Sequence, residues 1–245
     1  GLTNPYDKKS MGVFGELCAS KYNFTREQQD AFATESVNRA LNAQKTGAFS
    51  AEIVAVSVST RKGDVLFDQD EQPGRCDTNK IPTLRAAFQK DGTITAATSS
   101  SINDGAAALV LSTEEFVNAN GLTAIARIVA QASHSQAPEW FTTAPIGAIQ
   151  SVLRKAQWTV ADVDLFEINE AFATVAMAPI QELGVPHEKL NVNGGACALG
   201  HPIGASGARI IVTLIHALQA RGLRKGVASL CIGGGEATAI AIELA

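Results

Sequence analysis

The feature that most limits what this chain can fold into is the rhythm of residues 104–245, where short apolar runs alternate with segments of helical spacing. Residues 106–111, 124–130, 163–168, 227–232 and 237–244 read as strands. Between them a helix opens at Ser112 and Glu115, and a second carries Ile146, Ile149, Leu153 and Ala156 in line. A third starts at Glu170, and a fourth carries Ala208, Ile211, Val212, Ile215 and Leu218. Apolar runs this short suit buried strands, and strands alternating with helices assemble into a mixed or parallel sheet covered by helices. An α/β layered domain is expected. Residues 1–103 have a different character and suggest a looser unit. Thr25 and Gln28 form a capping box ahead of a helix with Ala33, Val37, Ala40 and Leu41 that ends at Gly47. Residues 53–58 alternate like a strand, and 61–82 read as a loop or a pair of ragged strands.

Composition narrows the function classes. A formal net charge of −4 has the wrong sign for a reader of nucleic-acid phosphates, and no apolar run reaches the roughly 18 residues a membrane span needs. Hydrophobic residues make up 46% of the chain, enough for a sizeable core, and the low charged fraction of 18% favours an oligomer. The four cysteines, Cys18, Cys76, Cys197 and Cys231, show no CxxC spacing and no neighbouring His, so neither a metal site nor a disulfide framework is expected. Asn23-Phe24-Thr25 fits a glycosylation sequon but reads better as the start of the capped helix.

In open α/β folds ligands gather at loops beyond the strand ends, and three such loops stand out. In the first, Asn169 and Glu170 follow an apolar strand where a helix begins. The plain reading makes Asn169 an N-cap with Glu170 at the favoured helix terminus. The second runs from Asn191 to Arg209, with five glycines spread from Gly194 to Gly207 and a helix after it. Backbone amides there resemble a phosphate cradle, yet the spacing fits neither nucleotide-binding glycine motif. His201, held between Gly200 and Pro202, sits in a rigid turn, where an imidazole can relay protons near neutrality. The third loop ends a buried strand in Cys231 and three glycines. A thiol there can be held as thiolate and can share an oxyanion with the glycine amides. Cys18, Cys76 and Cys197 read as small buried hydrophobes, and His134 and His187, in polar loops, and His216, inside a helix, carry no expected chemistry.

Taken together, Asn-Glu-Ala-Phe-Ala at 169–173, Asn193-Gly-Gly with Gly-His-Pro-Ile-Gly-Ala-Ser-Gly-Ala-Arg ending at Arg209, and Cys-Ile-Gly-Gly-Gly at 231–235 resemble the signatures of the thiolase family. Ser100 and the run Asn103-Asp104-Gly105-Ala106-Ala107-Ala108 resemble its coenzyme-A-facing segment, and the similarity runs the whole length. The resemblance implies a layered αβαβα fold and reversible condensation or thiolysis of 3-ketoacyl-CoA through an acyl-cysteine, most simply acetoacetyl-CoA to two acetyl-CoA. It implies that His201 activates the nucleophilic Cys and helps hold one oxyanion with a water fixed by Asn169. Cys231 would move the α-carbon proton, and the amide of Gly233 would donate to the other oxyanion. The chemistry asks for such groups, since an enolate needs a base and donors where charge develops. By the same resemblance Ser100, Ala96, Phe88, Met11, Leu2, Ala171 and Phe172 line the pantetheine tunnel and Arg75 meets the nucleotide end. Coenzyme A enters as substrate, with no separate cofactor or metal.

The resemblance also sets the expected organisation: 1–103 a remnant of the CoA-binding loop domain, 104–121 the last strand and helix of the first core half, and 122–245 the complete second half. The family's acyl-accepting Cys lies in a Cys-Gly-Ser-Gly turn, and no cysteine here begins such a turn. The chain is therefore expected to be the C-terminal portion of a thiolase, catalytically incomplete alone and part of a homodimer or homotetramer when whole. Relatives with these motifs work in the cytosol, mitochondrion or peroxisome, and the cytoplasm is the expected compartment. Two other readings compete: a non-catalytic acyl-CoA or lipid-carrier binding protein on the same fold, and a ketoacyl synthase. Retention of His201, Asn169 and Cys231 weighs against the first; Cys231, where a synthase carries His, weighs against the second.

Overall fold

A computed structural model describes residues 2–245. The chain runs through helices α1 (Met11–Tyr22) and α2 (Arg26–Thr46), the hairpin β1 (Val56–Thr60) and β2 (Gly63–Phe67), and the short α3 (Gln72–Arg75) and α4 (Glu114–Ala119). It continues through β3 (Ala126–Ser135), α5 (Ala144–Ala156), β4 (Leu165–Ile168), α6 (Ala173–Leu183), α7 (Ala196–Leu199), α8 (Ser206–Arg221), β5 (Lys225–Ile232) and β6 (Glu236–Leu244). Strands β3, β6, β5 and β4 form one sheet in that order. The β4–β5 pair is parallel and the other two are antiparallel. The β5–β6 hairpin turns through Gly235 at φ +102°, where a Cβ would collide with the Gln136 carbonyl.

Side chains that alternate along each strand feed two apolar layers. On one face Phe166, Ile168, Val227, Ala237, Ala239 and Ala241 pack against α5 and α6. On the other, Leu165, Ala228, Ile242 and Leu244 meet Ile210, Leu214, Ala217 and Leu218 of α8. The first layer also takes in Cys18, Ala19 and Tyr22 of α1, Phe24 and Phe32, so the helices of the first hundred residues share the core of the second half. The capping box forms, with Thr25 and Gln28 exchanging hydrogen bonds, and Gly47 closes α2 at φ +74°.

Several local expectations are corrected. Residues 106–111 form no strand, and Val110 and Leu111 are 98% and 73% exposed. A strand needs a partner for its backbone groups, and among the described residues none runs beside this segment. The helix that follows is capped by Thr113, whose hydroxyl accepts from the Phe116 amide at 3.2 Å, not by Ser112. In 61–82 the order is higher than expected, with β2, α3 and a 3-10 turn at Thr78–Thr83. His134 lies in β3 rather than a loop. The buried stripe of α8 runs through Ile210, Thr213, Leu214, Ala217 and Leu218, while Ala208, Ile211, Val212 and Ile215 are half-buried.

Candidate active site

The sheet brings the first and third loops together because β4 and β5 run parallel and end side by side. The Asn169 amide continues the ladder one residue past β4, donating to the Ser229 carbonyl at 3.0 Å. Cys231 lies two residues further along β5. Asn169 is not an N-cap: α6 starts only at Ala173, with Phe172 before it and no side-chain cap. The Asn169 side chain instead places Nδ2 3.4 Å from Nε2 of His201, and its Oδ1 is buried without a protein partner.

His201 is fixed from both sides. Its backbone N–H donates to the Ser101 carbonyl at 3.0 Å. Its Nδ1 lies 2.6 Å from the Ser206 hydroxyl, which itself donates to the Pro202 carbonyl at 3.0 Å. With that hydroxyl proton spent, Nδ1 carries the imidazole proton and Nε2 is the free basic nitrogen facing Asn169. Burial, aided by the Arg209 charge, holds the imidazole below its ordinary 6.5.

Cys231 packs with Met11, Phe14, Ile94, Phe141, Phe172 and Val175, with Ala171 against them. This apolar wall leaves the thiol 8% exposed and pushes it up to about 12, against the partial help of its own backbone amide. Desolvation thus outweighs the nearby donors and favours the protonated thiol over a resident thiolate.

The first part of the glycine-rich loop is not a phosphate cradle, because the amides of Gly195 and Cys197 are already occupied. Gly195 N–H donates to Ser36 Oγ at 3.0 Å and Cys197 N–H to Glu170 Oε2 at 3.0 Å. The buried Glu170 also accepts from Ser36 Oγ at 2.7 Å and Asn191 Nδ2 at 2.7 Å, and a Cβ at Gly195 would strike its carboxyl group. Glu170 and Ser36 thus tie α2 to the loop that presents His201. Their role is not legible in the sequence, because the contacts of Glu170 with Ser36 and Asn191 lie far away along the chain and only the structure shows that α6 starts after it.

The residues assigned to the tunnel divide. Ser100 donates from both N–H and Oγ to the Ala171 carbonyl, at 3.1 and 3.0 Å, and Ser99 bridges to Phe172. Phe88 meets Phe172 edge-on with ring centroids 5.8 Å apart, and the Met11 amide donates to the Leu2 carbonyl at 3.0 Å. Met11, Ala171 and Phe172 therefore pack in the apolar cluster that holds Cys231, with Ser100 bonded to Ala171 and Phe88 set against Phe172. Ala96 is exposed, and Arg75 is exposed and paired with Glu71 at 3.0 Å. Gly233 sits half-buried in the turn after β5. Cys18 is fully buried with its thiol raised to about 11 by desolvation, and Cys197 is raised well above its ordinary value by burial and Glu170. Among the described residues no cluster of three or more His, Cys, Asp or Glu is arranged for a metal, and no helix is long and apolar enough to cross a membrane.

Comparison with known proteins identifies the family. The model of the thiolase N-terminal domain matches residues 1–115, and that of the thiolase C-terminal domain matches residues 122–244. The chain belongs to the thiolase family. A probable acetyl-CoA acetyltransferase of Dictyostelium discoideum is 50% identical over 99% of the chain, and the acetyl-CoA acetyltransferase of Escherichia coli K12 is 51% identical over 95%. The crystal structure of the Bacillus anthracis acetyl-CoA acetyltransferase superposes over the whole chain with a TM-score of 0.97 at 44% identity. That of the Acat5 thiolase from Ascaris suum in complex with coenzyme A superposes at 0.94 and 45%. The chain spans 59% of the length of each of the two sequence relatives, and 62% and 63% of the two structures.

Proposed function

We propose that the full-length protein is an acyl-CoA C-acyltransferase that interconverts acetoacetyl-CoA and two acetyl-CoA, and that this chain supplies its proton-transfer and oxyanion side. The observation that carries the reading is the His201 pair: Nδ1 locked by Ser206 and Nε2 turned to Asn169 at 3.4 Å. The names of the relatives support the substrate, and the apolar wall of Phe14, Ile94 and Phe141 around Cys231 favours a short acyl group.

In the cleavage direction His201 Nε2 takes the proton of an acyl-accepting thiol, whose sulfur attacks the 3-keto carbon. The C2–C3 bond breaks and its electron pair stays on the acetyl-CoA enolate, which takes a proton at C2 from the Cys231 S–H. Burial suits Cys231 to this step because it keeps the thiol protonated until the enolate appears. A second CoA thiol, giving its proton to the Cys231 thiolate, then attacks the acetyl-cysteine, and the cysteine sulfur leaves and takes back the proton held on His201. His201 with a water on Asn169 holds one oxyanion, and the Gly233 amide donates to the other. The buried, unpartnered Oδ1 of Asn169 is consistent with a bound water.

The acyl-accepting thiol has no counterpart here, since Cys18 is buried against Thr174, Cys197 is half-buried against Glu170 and Cys76 follows the short α3. The CoA-binding role of 1–103, the division of the core at 104–121 and 122–245, and assembly as a homodimer or homotetramer belong to the same proposal. The test is thiolysis of acetoacetyl-CoA by CoA. The full-length protein turns over and His201→Ala loses roughly 10³ of kcat/KM. The 245 residues alone do not turn over, and turnover by them that disappears when one of their own cysteines is changed to Ser as acyl carrier would overturn the reading.

A further inference from the structure

One layer beneath the Asn169–His201 contact lies a buried ion pair that no step above uses. Glu167 of β4 is 1% exposed, and neither of its oxygens has a hydrogen-bond partner; the nearest cation is Arg209 Nη1 of α8 at 3.6 Å. Glu167 precedes Asn169 by two residues on the same strand face, about 7 Å away along the strand. Arg209 follows Ser206 by three residues, about 4.5 Å along the helix axis. The two pairs thus form successive rungs between β4 and α8, the upper one carrying Asn169, His201 and Ser206.

We propose that Glu167 and Arg209 are positioning residues for the acyl transfer, docking α8 on β4 so that His201 meets Asn169 and fixing a guanidinium charge about one helical turn from Ser206, the partner of His201 Nδ1. The inference rests on the function proposed above. The charged groups that face this rung are Glu167 and Glu170 around β4, Glu52 ahead of β1, Asp70 after β2, Arg209 itself and His201. Glu52 is engaged elsewhere, accepting from Thr213 Oγ1 at 2.9 Å. Burial pushes Glu167 up to about 8 and Glu52 to about 7, so around neutrality the Arg209 charge is incompletely offset. Burial first and the Arg209 charge second hold the His201 imidazole below its ordinary value.

The test is the pH dependence of carbethoxylation of His201 by diethyl pyrocarbonate, mapped by peptide mass in the full-length protein. This readout needs no turnover, so a protein that titrates as expected but fails to cleave acetoacetyl-CoA sinks the functional reading and leaves this inference standing. In Arg209→Gln the midpoint rises by about half to one pH unit, roughly two- to sixfold less reactive imidazole at the wild-type midpoint. In Arg209→Lys, which keeps the charge, the midpoint stays, while kcat falls several-fold with KM little changed because the planar clamp is lost. In Glu167→Gln the midpoint does not rise. An unmoved midpoint in Arg209→Gln overturns the inference, as does a rise in Glu167→Gln or Arg209→Lys; these two arms decide the matter if Arg209→Gln does not fold.

Discussion

Residues 106–111 and 227–232 are nearly interchangeable as strings: Ala-Ala-Ala-Leu-Val-Leu and Val-Ala-Ser-Leu-Cys-Ile, both apolar and both the length of a buried strand. One is exposed coil and the other is the strand that delivers Cys231 to the pocket. The difference lies outside both. Residues 227–232 have β4 on one side and β6 on the other, with α5 and α8 above and below. Residues 106–111 have no strand beside them among the described residues. Strand structure here is conferred by neighbours, and the proposed chemistry sits only where neighbours exist on every side.

The largest expected effect pits the two segments directly. Val227→Asp buries an unpaired carboxyl in a closed layer and lowers the stability of the chain by roughly 4 kcal/mol in urea unfolding, whereas Val110→Asp changes it by less than about 0.5 kcal/mol. Equal costs would break the comparison. Next, backbone hydrogen exchange is slower in β5 than in 106–111 by roughly 10³ or more, since only β5 opens with the core. A protected 106–111 would mean that this segment pairs in solution.

A smaller effect comes from pH and belongs to the framed region alone. Glu167 rises from 4.5 to about 8 on folding, so its contribution to stability is whole below pH 4.5 and is lost as pH rises through 8. His201 is depressed, so its contribution is present above pH 6.5 and is lost as pH falls towards the folded value. Urea midpoints from pH 5 to 9 therefore decline on the alkaline side, and Glu167→Gln flattens that decline. An unchanged slope in the variant would assign the alkaline loss to another group.

What the sequence made legible follows the same division. The capping box at Thr25, the helix closed by Gly47, and the strands at 227–232 and 237–244 are dictated locally and stand where spacing put them, to within a residue or two. Residues 106–111 stand outside any strand in this chain, which spans 59% of the length of the two sequence relatives, because no described residue pairs with them, and nothing in a string of apolar residues reports whether a partner strand is present. The helix expected from Glu170 starts three residues late because Asn169 and Glu170 spend their side chains on His201, Ser36 and Asn191, contacts far away in sequence. The glycines of 194–207 suggested amides open to an anion, and the structure occupies those of Gly195 and Cys197 with Ser36 and Glu170. The Glu167–Arg209 rung escaped notice, although a lone carboxylate in Leu165-Phe-Glu-Ile168, a strand buried at every position, was a visible sign.

The central claim is that Cys231, at the tip of the framed strand, moves the proton of the α-carbon beside His201 and Asn169. Exchange of deuterium from D2O into the methyl group of acetyl-CoA measures that transfer without waiting for a full turnover. In the full-length protein Cys231→Ser slows the exchange by roughly 10² or more while the acyl-cysteine still forms and the fold is retained. Exchange at the wild-type rate in that variant would contradict the account.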